Sequence, residues 1–276
     1  MAIDFSTLLP LLAIAVGAGV VGGILAGLLG VGGGIVIVPA LYLALSSAGM
    51  DPVITMQVAV GTSLATIVFT SLSSGYGLFK RVTIDMDLLR LRAPSLLVGV
   101  IIGALLGGYV SGLILVSVFA VVAALVAIDM IFRKPVIDPT VCSFHKLVWA
   151  ALGTITGALS AMMGIGGGTI GAPLLNFLGY DIRRAVGTSA AIGFPGAIIY
   201  ALTGQGTEGL PPFSLGYVNL AAAAIIIPMT SSFAHVGVKL VHSISRGTLR
   251  FAFGIFLMLT SLGMFVDLFS TLTANG

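Results

Sequence analysis

The chain has 276 residues, 58% of them hydrophobic and 8% charged, with a mean hydropathy of +1.19. A soluble domain carries roughly 25% charged residues, so this composition excludes a water-covered surface and requires most of the exterior to face lipid. The formal charge of +3 is not a nucleic-acid footprint, because basic residues flanking apolar spans set orientation in a bilayer.

The opening MAIDFSTLLP has no basic cluster, so no cleaved signal peptide is expected. From Leu8 to Ser47 a long apolar run is interrupted by Gly30-Val31-Gly32-Gly33-Gly34. Its roughly 40 residues would make a straight helix about 60 Å long, twice the ~30 Å hydrocarbon core. The element must therefore break, and the glycine run is where helix propensity is weakest. Beyond it Ile35–Ser47, with Pro39 inside, is too short to cross comfortably and reads as a half-helix or a steeply inserted segment. Full spans follow at Val53–Phe79, Ala93–Ser111 and Leu113–Phe132. Lys146–Gly179 repeats the broken design, with Gly164-Ile165-Gly166-Gly167-Gly168 leading into Thr169–Gly179 and its Pro173. Spans at Ala185–Thr203, Ser214–Val236 and Thr248–Phe269 complete the chain. The expected class is an all-α polytopic membrane protein.

All twelve Lys and Arg fall in four clusters: Lys80, Arg81, Arg90, Arg92; Arg133, Lys134, Lys146; Arg183, Arg184; and Lys239, Arg246, Arg250. If each broken element returns to the side it entered from, every cluster lies on one face, which the positive-inside rule makes cytoplasmic. Both chain ends then lie outside.

The chain also repeats itself. GILAGLLGVGGGIVIVPAL (Gly23–Leu41) aligns without gaps to GALSAMMGIGGGTIGAPLL (Gly157–Leu175), and AVGTSLA (Ala59–Ala65) to AVGTSAA (Ala185–Ala191). Equivalent loops carry opposite charge: Asp51 stands where the second half has Arg183 and Arg184, and Glu208 where the first has Lys80 to Arg92. Equivalent loops thus belong on opposite sides of the membrane. The reading is two inverted-topology repeats, 1–132 and 146–276, joined by a cytoplasmic linker 133–145. Each repeat holds one glycine-broken element and three full spans, an arrangement recurrent in secondary transporters.

Each GxGGG run leads into a short helix whose first N–H groups have no intrahelical acceptor and which carries about half a positive charge. An anion satisfies both, and glycine lets it approach the backbone. Gly32, Gly33, Gly34, Gly166, Gly167, Gly168 and Thr169 are the leading substrate-binding candidates; the alternative is that these glycines only let helices pack. Thr62, Ser63, Thr188 and Ser189 in the AVGTS blocks add hydroxyl donors, unless they bond back to the preceding turn. Gln57, Asn176 and Asn219 read as helix–helix or interfacial groups, as do Asp129, Asp267 and His235, and Cys142 as a bystander. No catalytic set, metal-ligand cluster or Walker sequence is present, so no enzyme, cofactor, metal or ATP drive is expected. A small anion and the lipid bilayer are the expected partners; nucleic acid is not, and a homo-oligomer is left open.

The strings GLLGVGGGIVIVPAL…VAVGTSL and AMMGIGGGTIGAPLL…AVGTSA resemble those of the TauE/SafE family of sulfite and sulfonate exporters. The likeness runs through essentially the whole chain and includes Gly237 and Lys239 before the last span. It implies a transporter of the cytoplasmic membrane for a sulfur-containing anion such as sulfite, a sulfonate or sulfoacetate. With the inverted repeat, the expected function is export of that anion by alternating access. Alternatives are an anion channel on the same scaffold, a carrier of a non-sulfur organic anion, and a membrane enzyme or accessory subunit.

Overall fold

The computed structural model describes residues 5–29, 32–79, 86–132, 146–165, 186–240 and 246–274. Among them are nine helices: α1 Phe5–Leu29, α2 Gly34–Ser47, α3 Pro52–Phe79, α4 Met86–Tyr109, α5 Gly112–Phe132, α6 Lys146–Met162, α7 Val186–Thr203, α8 Leu220–Leu240 and α9 Arg246–Ala274. The protein is an all-α polytopic membrane protein. Segments of α3, α5, α8 and α9 (Pro52–Leu72, Gly112–Phe132, Leu220–Leu240 and Phe251–Thr271) are long and apolar enough to cross a bilayer. Large apolar side chains such as Leu125, Leu259 and Val266 stand on the outside at more than 60% exposure, where lipid would cover them.

The α3 segment is 78% buried, against 28% for those of α8 and α9, so α3 is the central post. Asp51 caps its start, accepting the Val53 N–H at 2.8 Å. Around it the helices pair in a regular way. α3 packs on α7 with Gly61 against Tyr200 and Leu64 against Gly193 and Gly196, so the two AVGTS helices run antiparallel. α5 and α9 are also antiparallel, with Gly254 beside Met130 and the Ser261 hydroxyl donating to Ala120 O at 2.8 Å. α1 lies parallel to α8, and α4 parallel to α6. Exchanging α1 with α6, α3 with α7, α4 with α8 and α5 with α9 leaves this list of pairs unchanged.

The parallel pairs are glycine seams. Gly19, Gly23 and Gly27 on α1 face Met229, Thr230 and Ala234 on α8; Gly99 and Gly103 on α4 face Thr154 and Ala158 on α6. A Cβ on Gly27 or Gly103 would lie 2.1 or 2.2 Å from a carbonyl oxygen of the neighbouring helix. Such backbone approach is what small residues permit in lipid, where association depends on packing.

One expected boundary is corrected. The span read as Ser214–Val236 begins at Leu220, behind a hairpin of β1 (Ser214–Leu215) and β2 (Val218–Asn219). Pro211 and Pro212 cannot continue a helix, Gly216 turns at φ 55°, and Asn219 Oδ1 accepts the Ala222 N–H at 2.8 Å, the bond of an N-cap.

Candidate functional site

The first glycine break is a change of direction made by backbone conformation. α1 ends at Leu29, and Gly32 and Gly33 stand at φ +81° and +79°, a region that costs L-residues about 1–2 kcal/mol. Gly33 is the N-cap of α2, and its carbonyl accepts from both Val36 and Ile37. The N–H groups of Gly34 and Ile35 therefore precede the first intrahelical donor and sit at the positive end of the α2 dipole. Successive N–H groups after a left-handed residue converge into an anion-binding concavity.

The depth of this terminus follows from its neighbours. α2 folds back on α1, with Gly33 and Ile37 against Gly22, and Gly22 lies between Gly19 and Gly23, which face the middle of α8 at Met229 and Thr230. On the other side Gly34 meets Ser63 and Ile67, near the centre of the Pro52–Leu72 segment. α2 thus starts near the middle of the bundle, is about 21 Å long over its 14 residues, and closes on a Schellman turn with Gly49 at φ +77°.

The second break arrives at the same place. α6 ends in a Schellman motif, with Ile165 N–H on Ser160 O, Gly164 N–H on Ala161 O, and Gly164 at φ +65°. The Gly164 carbonyl lies against Gly34, where a Cβ would come within 2.5 Å of it. Ser63 joins them, donating its hydroxyl to Gly164 O at 2.7 Å. Two glycine runs separated by more than a hundred positions in the sequence thus touch across α3.

Of the expected site residues, Gly32, Gly33, Gly34 and Ser63 come together here. Thr62 does not: its Oγ1 accepts the Asn219 N–H at 2.9 Å, fastening α3 to the hairpin. One residue earlier on a helix means a rotation of about 100°, enough to turn Thr62 away from the face that Ser63 presents. Gly166, Gly167, Gly168 and Thr169 lie outside the described residues; Thr188 and Ser189 fall on α7, with side chains outside them. Ser71 was missed, although Ser63, Ile67 and Ser71 follow at intervals of four and so share one face of α3. It is buried beside Gly32.

No Lys or Arg occurs in 1–79 or 147–182, so neither segment that holds a break carries a basic side chain of its own. Among the described residues no group of three or more His, Cys, Asp or Glu could hold a metal. Farther out, Tyr42 of α2 donates its hydroxyl to Asp267 of α9. Gln57 Nε2 donates to Val110 O at 2.8 Å, linking α3 to the turn after α4.

The chain matches the family described as sulfite exporter TauE/SafE over residues 15–264. It belongs to that family. Within this TauE/SafE protein the matched stretch contains both glycine runs, Ser63 and Ser71, and stops short of Asp267. It is 32% identical over 252 residues to a probable membrane transporter protein of Haemophilus influenzae, covering 90% of this chain and 96% of that one. It is also 32% identical over 254 residues to one of Methanocaldococcus jannaschii, covering 90% and 91%. A third, YunE of Bacillus subtilis, is 28% identical over 234 residues, 76% of this chain and 81% of that one. No solved structure matches the chain. This TauE/SafE protein is a multi-pass membrane protein of a transporter family.

Proposed function

We propose that the protein is a secondary transporter for a small sulfur-containing anion such as sulfite, a sulfonate or sulfoacetate, exporting it across the cytoplasmic membrane. The anion binds where the two glycine breaks meet, on the N–H groups that open α2 and their counterparts around Gly166–Thr169. What carries the reading is the contact of Gly34 with Gly164 through Ser63 near the middle of the bundle. An anion entering there leaves water, which costs several kcal/mol. Hydrogen bonds to a charged group return about 1.5–3 kcal/mol each, so two or three backbone donors plus a helix end can balance the cost. The balance favours transient occupancy, which suits a carrier.

The halves 1–132 and 146–276 are read as inverted repeats joined by the linker 133–145. The antiparallel course of α3 against α7 and of α5 against α9 supports this, as does the opposite charge of equivalent loops. In this topology the Lys/Arg loops face the cytoplasm and both ends face outward. Rocking of one half against the other would expose the shared centre to each side in turn.

The test is flux in proteoliposomes loaded with sulfite or sulfoacetate. Saturable movement, at tens to thousands of ions per second per protein, is the expected result. Absence of flux with either anion defeats the sulfur assignment, and single-channel currents would make the protein a channel.

A further inference from the structure

We propose that Ser71 supplies the side-chain donor of the anion site, binding a second oxygen of a substrate whose first is held by the α2 N-terminus. The inference rests on the anion-transport reading and assigns a residue to it.

Five hydroxyls on α3 between Thr62 and Ser71 are buried: Thr62, Ser63, Thr66, Thr70 and Ser71. Four have protein partners. Thr62 accepts from Asn219 N, Ser63 donates to Gly164 O, Thr66 to Ser63 O, and Thr70 bonds with Thr66 O and Thr230 Oγ1. Ser71 is 5% exposed and its Oγ has no hydrogen-bond partner among the described residues. A buried hydroxyl left unpaired in an apolar bundle is costly, and such a group asks for an explanation.

Its position provides one. Ser63, Ile67 and Ser71 form one face of α3 along the break: Ser63 reaches Gly34, Ile67 reaches both Gly32 and Gly34, and Ser71 Oγ lies 3.5 Å from where a Cβ of Gly32 would be. Because Gly32 has no Cβ, no side chain of its own stands between that hydroxyl and the turn that opens α2. In the proposal the O–H and the backbone dipole address the anion from two sides. With no Lys or Arg in 1–79 or 147–182, the two segments that hold the breaks offer an anion only neutral donors. The matching ligand is an oxyanion with several acceptor oxygens on one centre, as in sulfite or a sulfonate head, rather than a single-point anion such as chloride.

The experiment compares wild type, Ser71→Ala and Ser71→Thr as full-length protein in proteoliposomes, with sulfite and sulfoacetate as substrates and chloride as competitor. Unfolding temperature is measured with and without sulfite. For Ser71→Ala the expected result is a KM raised tenfold or more at a Vmax within about twofold. Without ligand its unfolding temperature equals or exceeds that of wild type, since an unpaired hydroxyl has gone, and sulfite stabilises it less. Ser71→Thr, which keeps the hydroxyl, restores the affinity. Thr70→Val serves as control: its hydroxyl is spent on α3 and α8, so it lowers the unfolding temperature and leaves KM unchanged. A wild-type KM in Ser71→Ala, or flux lost only in step with folded protein, overturns the role of Ser71 while wild-type flux keeps the anion carrier standing. A wild type showing neither flux nor sulfite-dependent stabilisation overturns both.

Discussion

Gly27 and Gly34 lie seven residues apart, and both exclude a side chain, for different physical reasons. Gly27 is an ordinary helical residue whose missing Cβ lets α1 touch the backbone of α8: a Cβ would stand 2.1 Å from Ala234 O and 2.8 Å from Val238 N. Gly34 follows two left-handed glycines and opens α2 against Gly164 O, Ile67 and Ser63. The first makes a seam, and its worth is dispersion and close approach. The second opens a buried helix whose first amide hydrogens precede the intrahelical ladder, and its proposed worth is chemical. Abundance of glycine therefore says nothing about which job each performs; φ and the identity of what a Cβ would strike do.

The largest expected effect lies in the seams. Gly103→Leu drives a side chain into the α6 backbone, since even a Cβ would be 2.2 Å from Ala158 O. Overpacking against a rigid partner costs about 3 kcal/mol or more. The expected outcome is loss of monodisperse protein in detergent, read by fluorescence size-exclusion, before transport can be assayed. A well-folded Gly103→Leu would mean that α4 and α6 do not touch as described.

Next comes Gly34→Ala, which should separate folding from function. The new methyl would stand 2.5 Å from Gly164 O and 2.9 Å from Ser63 Oγ, wedging the two breaks apart at their junction. Folding should survive with a loss of about 1–2 kcal/mol, while anion flux falls by tenfold or more. Equal losses of both would place Gly34 with the seams. Gly33 is a poorer probe, because a side chain there meets φ +79° and Gly22 O at 2.7 Å together, so failure to fold and failure to bind could not be told apart.

How far this contrast could be read in advance follows from what a linear pattern records. The break at Gly30–Gly34 was legible because 40 apolar residues cannot fit one crossing; the short helix beyond it, expected from Ile35, starts at Gly34. The class of fold followed from hydropathy. The approach of Gly34 to Gly164 was inferable only through the repeat, as two equivalent kinks aimed at one centre. The split between Thr62 and Ser63 was not, since adjacent residues on a helix face different neighbours and nothing local says which neighbour is the hairpin. The hairpin itself hid inside an apolar run, where Gly216 and Asn219 were weak signals against Val218 and the alanines that follow.

A smaller effect is expected at the outer end of α2. Tyr42, 2% exposed, donates its hydroxyl to Asp267, holding the half-helix to α9 away from the break. Tyr42→Phe removes one hydrogen bond to a carboxylate, worth about 1.5–3 kcal/mol, and should lower the unfolding temperature by a few degrees. If α2 acts as a rigid unit, KM changes little because the N–H groups at Gly34 keep their place. A tenfold KM change with unaltered stability would instead make this bond part of substrate binding.

The smallest effect sharpens the comparison within a single helix. Gly17 lies on α1 just before the seam, two positions ahead of Gly19, yet a Cβ there would meet nothing within 4 Å, whereas one on Gly19 would meet Met229 Cβ at 2.7 Å. Two residues along a helix are a rotation of about 200°, so Gly17 points away from α8 while Gly19 points into it. Gly17→Ala adds a methyl to open space and removes backbone freedom from the unfolded chain, a change that favours the helix by about 0.5–1 kcal/mol where no clash opposes it. Unfolding temperature should hold or rise slightly, with flux unchanged, while Gly19→Ala loses stability. Should Gly17→Ala destabilise as much as Gly19→Ala, the difference between these glycines would be one of sequence neighbourhood, and what a Cβ meets would not be the property that sorts them.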